Sequence, residues 1–103
     1  MNVWLDDVRQ MPEGFDAHVC CAEDAISLLE SGDVKFISFD HDLGAEKTGY
    51  DVASWIEQAV FEGKLSRVPD WKVHSANPVG SLNILMAMRS AERFVLRAEQ
   101  SKI

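Results

Sequence analysis

The sequence predicts an α/β fold with a small, mainly parallel sheet. Three observations carry that prediction. Short apolar runs at Asn2–Leu5, Val34–Phe39 and Asp70–His74 alternate with stretches whose apolar residues recur at helical spacing. The run Val34–Phe39 is almost continuous in apolar, β-branched and aromatic residues, which suits a central parallel strand covered on both faces. Strands that alternate with helices imply right-handed βαβ units.

The elements follow in order. Asn2 to Leu5 reads as a buried strand. Asp6 to Phe15 reads as a loop, since Arg9, Pro12 and Gly14 interrupt any period. Ala17 to Cys21 is a second short strand. Glu23 to Ser31 is predicted helical: Ala25, Ile26, Leu28 and Leu29 form an apolar face, Glu23 and Asp24 suit the first turn, and Gly32 suits the stop. Gly49 to Glu62 carries the clearest helical stripe, with Val52, Trp55, Ile56, Ala59 and Val60 on one side, and Thr48 and Asp51 cap its start. After Pro69 comes the strand Asp70–His74. Asn77-Pro78 then offers an N-cap followed by proline at the first helical position, opening a helix expected to reach about Arg89. Phe94 to Arg97 fits either a short edge strand or a helical tail. Trp4, Trp55 and Trp71 are read as core residues, and His18 as structural or exposed.

Composition narrows the function classes. The chain has 103 residues, 47% of them hydrophobic, which fits one globular domain spanning 1–103. No secretory signal or membrane-length apolar run is visible, so the expected compartment is the cytoplasm. Cys20 and Cys21 are adjacent and are expected to be buried, free thiols of a reducing compartment. The formal net charge of −7 argues against an extended nucleic-acid groove, which needs many cations along the phosphates. It leaves open a small phosphate-bearing ligand, or the end of an RNA, held through a bound cation.

Chemistry-bearing residues cluster at the strand ends. Leu5 is followed by Asp6-Asp7, Phe39 by Asp40-His41-Asp42-Leu43-Gly44, and Val73 by His74-Ser75-Ala76-Asn77. In open α/β sheets, ligands bind outside the carboxyl ends of the strands. Three loaded ends on one edge therefore point to one site.

These residues also resemble a known family. Leu5-Asp6-Asp7-x-Arg9, Pro12-x-Gly14, Asp40-His41-Asp42-Leu43-Gly44, Thr48-Gly49-x-Asp51 and His74-Ser75-x-Asn77-Pro78-x-Gly80 resemble the pattern of cyclic-phosphate processing receiver domains. That group is a divergent phage and bacterial branch of the response-regulator receivers. The resemblance runs from Asn2 to about Met88. It implies a receiver-like, flavodoxin-like three-layer sandwich with strand order 2-1-3-4, from which the chain departs in lacking the first helix, since Asp6 to Asp16 has no apolar helical stripe. It also implies that Asp6 or Asp7 and Asp40 hold a divalent cation, that Asp40 occupies the phosphoacceptor position, and that Ser75 stands where receivers carry a switch hydroxyl. The receiver lysine has no counterpart, because no Lys-Pro follows a later strand.

The residues suggest matching chemistry. Asp6, Asp7, Asp40 and Asp42 offer carboxylate oxygens suited to Mg²⁺ or Mn²⁺, with Ca²⁺ as a third option. His41 and His74 are candidates for acid and base, alongside Asp40. The other readings are a core histidine for His74 and a metal or supporting residue for His41. Arg9, Ser75 and Asn77 could steady a phosphate; Arg9 could equally form a surface ion pair, and Asn77 could simply cap a helix. The expected function is a cation-dependent phosphoesterase acting on cyclic phosphates, at an RNA end or in a small nucleotide. The alternative is a non-catalytic receiver-like module that binds a protein partner, for instance a phage factor docking on a host protein. A phosphoacceptor receiver is the third option. No membrane partner is expected.

Overall fold

A computed structural model describes residues 1–100. The order of elements is β1 (Asn2–Leu5), β2 (Ala17–Val19), α1 (Ala22–Glu30), β3 (Phe36–Phe39), α2 (Gly49–Phe61), β4 (Asp70–Val73) and α3 (Pro78–Gln100). The sheet runs β2-β1-β3-β4, and every neighbouring pair is parallel. This is the receiver-like order the sequence predicted, with no helix between β1 and β2.

Register sets the geometry of the carboxyl edge. Leu5 pairs with Val19 and Phe39, and Phe39 with Val73, so the four strands end level with one another. The ladder continues one step beyond the strands: the Asp40 N–H donates to Leu5 O at 2.9 Å and the His74 N–H to Phe39 O at 2.9 Å. The residues after each strand therefore leave from one rim.

Side-chain alternation divides the sheet into two faces. Val3, Leu5, Ile37 and Phe39 point to the helices and join Val52, Ile56, Ile84 and Met88 in one buried cluster. All three helices contribute to that cluster. Trp4, Phe36 and Ser38 occupy the opposite face. The third layer there is thin: it consists of the loop between β1 and β2 rather than a helix. Phe15 from that loop packs on Trp4 at 5.1 Å and on Phe36 at 5.9 Å between ring centroids. Asn2 anchors the loop by donating its N–H to Asp16 Oδ2 at 2.6 Å and its side-chain amide to Gly14 O at 3.0 Å.

The caps behave as their sequences suggest. Thr48 and Asp51 form a reciprocal capping box at the start of α2. At the start of α3, Asn77 Oδ1 accepts the Gly80 N–H at 3.0 Å, the geometry of an N-cap. Two expectations need correction. First, α3 does not end near Arg89 but continues to Gln100, so Phe94–Arg97 is a helical tail. Its buried stripe of Ile84, Ala87, Met88 and Ala91 carries on through Phe94 and Val95, which pack against the core. Second, β2 stops at Val19, which leaves Cys20 exposed and Cys21 half-buried; both are free thiols. Among the described residues, no helix is long and apolar enough to cross a membrane.

One close approach fixes how α2 meets the sheet. The Gly49 N–H donates to His41 O at 2.8 Å, and a Cβ at Gly49 would overlap the Asp40 carbonyl oxygen. Only glycine permits this contact, which holds the first turn of α2 against the end of β3. Gly49→Ala is expected to lower stability by about 1–3 kcal/mol through overpacking against backbone that cannot yield. Urea denaturation checks this: the midpoint should fall with the slope unchanged, and an unaltered midpoint would contradict the account.

Candidate active site at the carboxyl edge

Asp6 is the centre of the site. Its side chain is fully buried at the end of β1. Oδ1 accepts the backbone N–H groups of Val8 at 2.8 Å and Arg9 at 2.7 Å. Oδ2 accepts from His74 Nε2 at 2.9 Å. Burial by itself would raise the carboxyl pKa. The donors from Arg9, Val8 and His74 outweigh it and hold the value below the ordinary 3.8.

His74 lies between two partners. Nε2 meets Asp6, and Nδ1 lies 2.7 Å from Ser38 Oγ. Ionised Asp6 can only accept, so Nε2 carries the proton, and in the neutral ring Nδ1 takes the Ser38 hydroxyl. The imidazole stacks on the Trp4 indole at 3.9 Å with planes 5° apart. Trp4 Nε1 in turn donates to Arg9 O at 3.2 Å. The ring is thus held on both edges and one face.

The other predicted residues surround this centre. An open cleft of about 390 Å³ is lined by Asp6, Asp7, Arg9, Asp40, Asp42 and Ser75, among others. The four acids predicted from the ends of two strands do share one cavity, with Ser75 from a third segment. Arg9 donates to His74 O at 2.6 Å and lies 4.0 Å from Asp6 Oδ2, which keeps its guanidinium at the rim. Ser75 Oγ accepts the Asn77 N–H at 3.1 Å, and Ser75 faces the same cleft.

His41 occupies a neighbouring position and is not part of the cleft lining. Nδ1 lies 3.0 Å from Asp42 Oδ1, and Asn77 Nδ2 approaches the same carboxylate at 3.4 and 3.5 Å. His41 and Asn77 together hold the Asp42 pKa below its ordinary value. The His41 ring rests on Gly80 in the first turn of α3, where a Cβ would run into the imidazole. Nε2 of His41 makes no hydrogen bond among the described residues. A carboxylate on Nδ1–H with a bare Nε2 is the arrangement of an oriented base.

A divalent cation fits the donor set. Asp6, Asp40 and His74 each offer a ligand atom within 4.8 Å of the others, and Asp7 and Asp42 line the same cleft. Carboxylate oxygens beside an open cleft suit a hard cation that keeps part of its hydration shell. His74 cannot serve as a ligand through Nε2 while it bonds to Asp6. Asp6 and Asp40 are the carboxylates of that group a cation would meet, with Asp7 lining the cleft beside them.

Two residues of the site were not singled out by sequence reasoning. Ser38 is a hydroxyl inside an otherwise apolar strand, and that anomaly was its only signal. Trp4 was read as core; it is buried, yet it also forms the platform for His74. His18 was read as structural or exposed, and it bonds the Asp6 carbonyl oxygen at 2.8 Å.

A family model described as the cyclic-phosphate processing receiver domain matches residues 1–90. No curated protein and no solved structure matches the chain significantly.

The depressed Asp6 pKa has a consequence for acid stability. A carboxyl whose folded pKa lies below its unfolded value stabilises the fold fully above that unfolded value. The contribution disappears as pH falls below the ordinary 3.8 and through the lower folded value. Thermal melts from pH 7 down to about pH 3 should therefore show the wild type losing stability at the acid end, with a flatter acid limb in Asp6→Asn. Identical slopes for the two proteins would refute this.

Proposed function

Because this chain belongs to the cyclic-phosphate processing receiver domain family, we propose that it hydrolyses a cyclic phosphate in a cation-dependent reaction. The observation that carries this reading is the convergence of Asp6, Asp7, Asp40 and Asp42 on one open cleft beside an oriented histidine. Substrates of this class are a 2′,3′-cyclic RNA end or a small cyclic nucleotide.

In such a reaction, water adds to phosphorus while one ester P–O bond of the ring breaks. The water loses a proton and the departing alkoxide gains one, so the product is a phosphomonoester with a free hydroxyl. A divalent cation at Asp40 and Asp7 would supply charge neutralisation next to the phosphate. Asp6 would join that ligand set through Oδ2. His41, held through Nδ1 by Asp42, presents Nε2 for the proton transfer to a substrate that extends over Asp42. His74 is assigned to positioning, since both its ring nitrogens are engaged by Asp6 and Ser38. Arg9 at the rim and the Ser75–Asn77 turn at the start of α3 steady the phosphate oxygens.

The engagement of His74 is also the observation that favours a second reading. With only one histidine available to move protons, the same cleft suits a non-catalytic module that binds a cation and a protein partner. The two readings differ in turnover.

Hydrolysis of 2′,3′-cyclic nucleotides with Mg²⁺ or Mn²⁺ tests the proposal. Activity should disappear with EDTA. It should fall at least about a hundredfold in His41→Ala, the size of a lost acid–base group. Asp40→Asn should weaken Mn²⁺ binding in calorimetry as well as turnover. A wild type inert across a broad panel of cyclic phosphates, with Mn²⁺ still bound, would end the enzyme reading in favour of the binding module.

A further inference from the structure

α3 presents an outward stripe that the fold leaves uncovered. Its buried side holds Gly80, Ile84, Ala87, Met88 and Ala91. Val79, Leu82, Met86, Arg89, Arg93 and Leu96 lie opposite, at spacings of three and four residues, the repeat of a coiled-coil seam. Val79, Leu82 and Met86 are 69%, 55% and 59% exposed. Leu85, 38% exposed, lies beside them, so the first half of α3 carries a cluster of exposed apolar side chains of the kind that marks functional patches.

Charge identifies the occupant. The chain carries a net charge of −7, so two copies repel across most of their surfaces. Between Val79 and Ala91 there is no acidic residue. Glu57 of α2 is the acid that borders the stripe, beside Met86 and Arg93, so two copies can meet here with little repulsion. The second half of the stripe is basic, with Arg89, Arg93 and Arg97. Arg93 and Arg97 make no ion pair among the described residues, while Arg89 pairs with Glu92 at 3.9 Å. The other end of α3 abuts the acidic cleft, where the Asp42 side chain is 67% exposed. An antiparallel pair therefore lays the basic end of each helix over the acidic end of the other.

The stripe also fixes the register. Packing Leu82 against Met86 of the partner subunit brings the apolar thirds together about a midpoint at Ile84. Arg93 lies nine residues beyond Ile84 and Pro78 six before it, so Arg93 comes just past the N-terminal end of the other copy's α3, the end that adjoins the rim of Asp42 and Ser75. We propose that two copies of this chain pair antiparallel through α3, and that each contributes Arg93 to the mouth of the other's acidic cleft. The contribution of Arg93 to phosphate binding rests on the phosphoesterase reading above; the pairing does not. The site by itself holds a single arginine at its rim, Arg9, and that one is already bonded to His74 O. A second cation from the partner would supply what a dianionic product or an RNA end requires. The pair would bury roughly 1,000 Å² in total, near the lower limit for a specific interface. It should be a weak dimer that salt weakens further.

Sedimentation velocity on the full chain, from about 5 to 500 µM, tests the pairing. The wild type should shift from monomer to dimer across that range, and less so in high salt. Leu82→Glu and Met86→Glu should each stay monomeric at every concentration, with helical circular dichroism unchanged. Arg93→Glu should weaken the dimer about tenfold or more and, in a dimer that turns over substrate, raise KM with kcat little changed. A nitroxide on Glu99→Cys, in a Cys20→Ser/Cys21→Ser background, should report a spin–spin distance of about 45 Å, as helix rise requires for antiparallel partners. A monomer at the highest concentration overturns the proposal, as does a Leu82→Glu dimer as strong as the wild type, or a short spin–spin distance that marks parallel helices. Dimerisation without turnover supports the pairing and counts against the phosphoesterase reading alone. An unchanged KM in an active Arg93→Glu protein overturns the contribution of Arg93.

Discussion

The buried carboxylate of Asp6 holds the carboxyl edge of this sheet together. A lone ionised acid with no exposure would be strongly disfavoured, and its neutral form would prevail. Here two backbone N–H groups and an imidazole N–H compensate for lost water. Each of those donors is thereby fixed. The turn at Val8 and Arg9 is tied down, and His74 is drawn from the end of β4 across β3 to β1. One acid thus connects the outgoing segments of two strands that are not neighbours in the sheet.

The rest of the site follows from that anchor. His74 can lie flat only because Trp4 provides a platform on the face of the sheet that carries no helix, and because Ser38 satisfies the second ring nitrogen. The absence of a helix between β1 and β2 is what makes room for this arrangement. A helix packed on that face would occupy the space where Phe15 covers Trp4. The polar network is complete, with no buried side-chain nitrogen or oxygen lacking a partner among the described residues. Such fully satisfied networks specify one arrangement, because a half-satisfied alternative is costly.

His41 is positioned by a separate set of constraints. Gly49 admits the backbone of α2 close to β3, and Gly80 admits the imidazole close to α3. Asp42 and Asn77 complete the cradle from the loop and the helix cap. The two histidines thus sit in opposite environments. His74 is enclosed with both nitrogens engaged, while His41 keeps one nitrogen unpartnered among the described residues. Sequence alone names both as acid–base candidates, with an enclosed core histidine as the other reading of His74, and does not choose between the roles. Their difference arises from contacts between residues far apart in the chain.

The sequence by itself determined the alternation of strands and helices, the missing helix, the caps of α2 and α3 and the acids that follow β1 and β3, while the strand order came through the family resemblance. Those features are local or periodic: a capping box spans four residues, and a strand with a polar tail declares its end. Tertiary structure decided which acid is buried, which histidine is engaged, and that Ser38 and Trp4 belong to the site. It also decided that α3 continues to Gln100, since Phe94 and Val95 gain their helical preference from packing on α2 and the core rather than from their own propensity. Burial and hydrogen-bond partnership are properties of the assembled edge, where Leu5, Phe39 and Val73 end level and residues tens of positions apart meet.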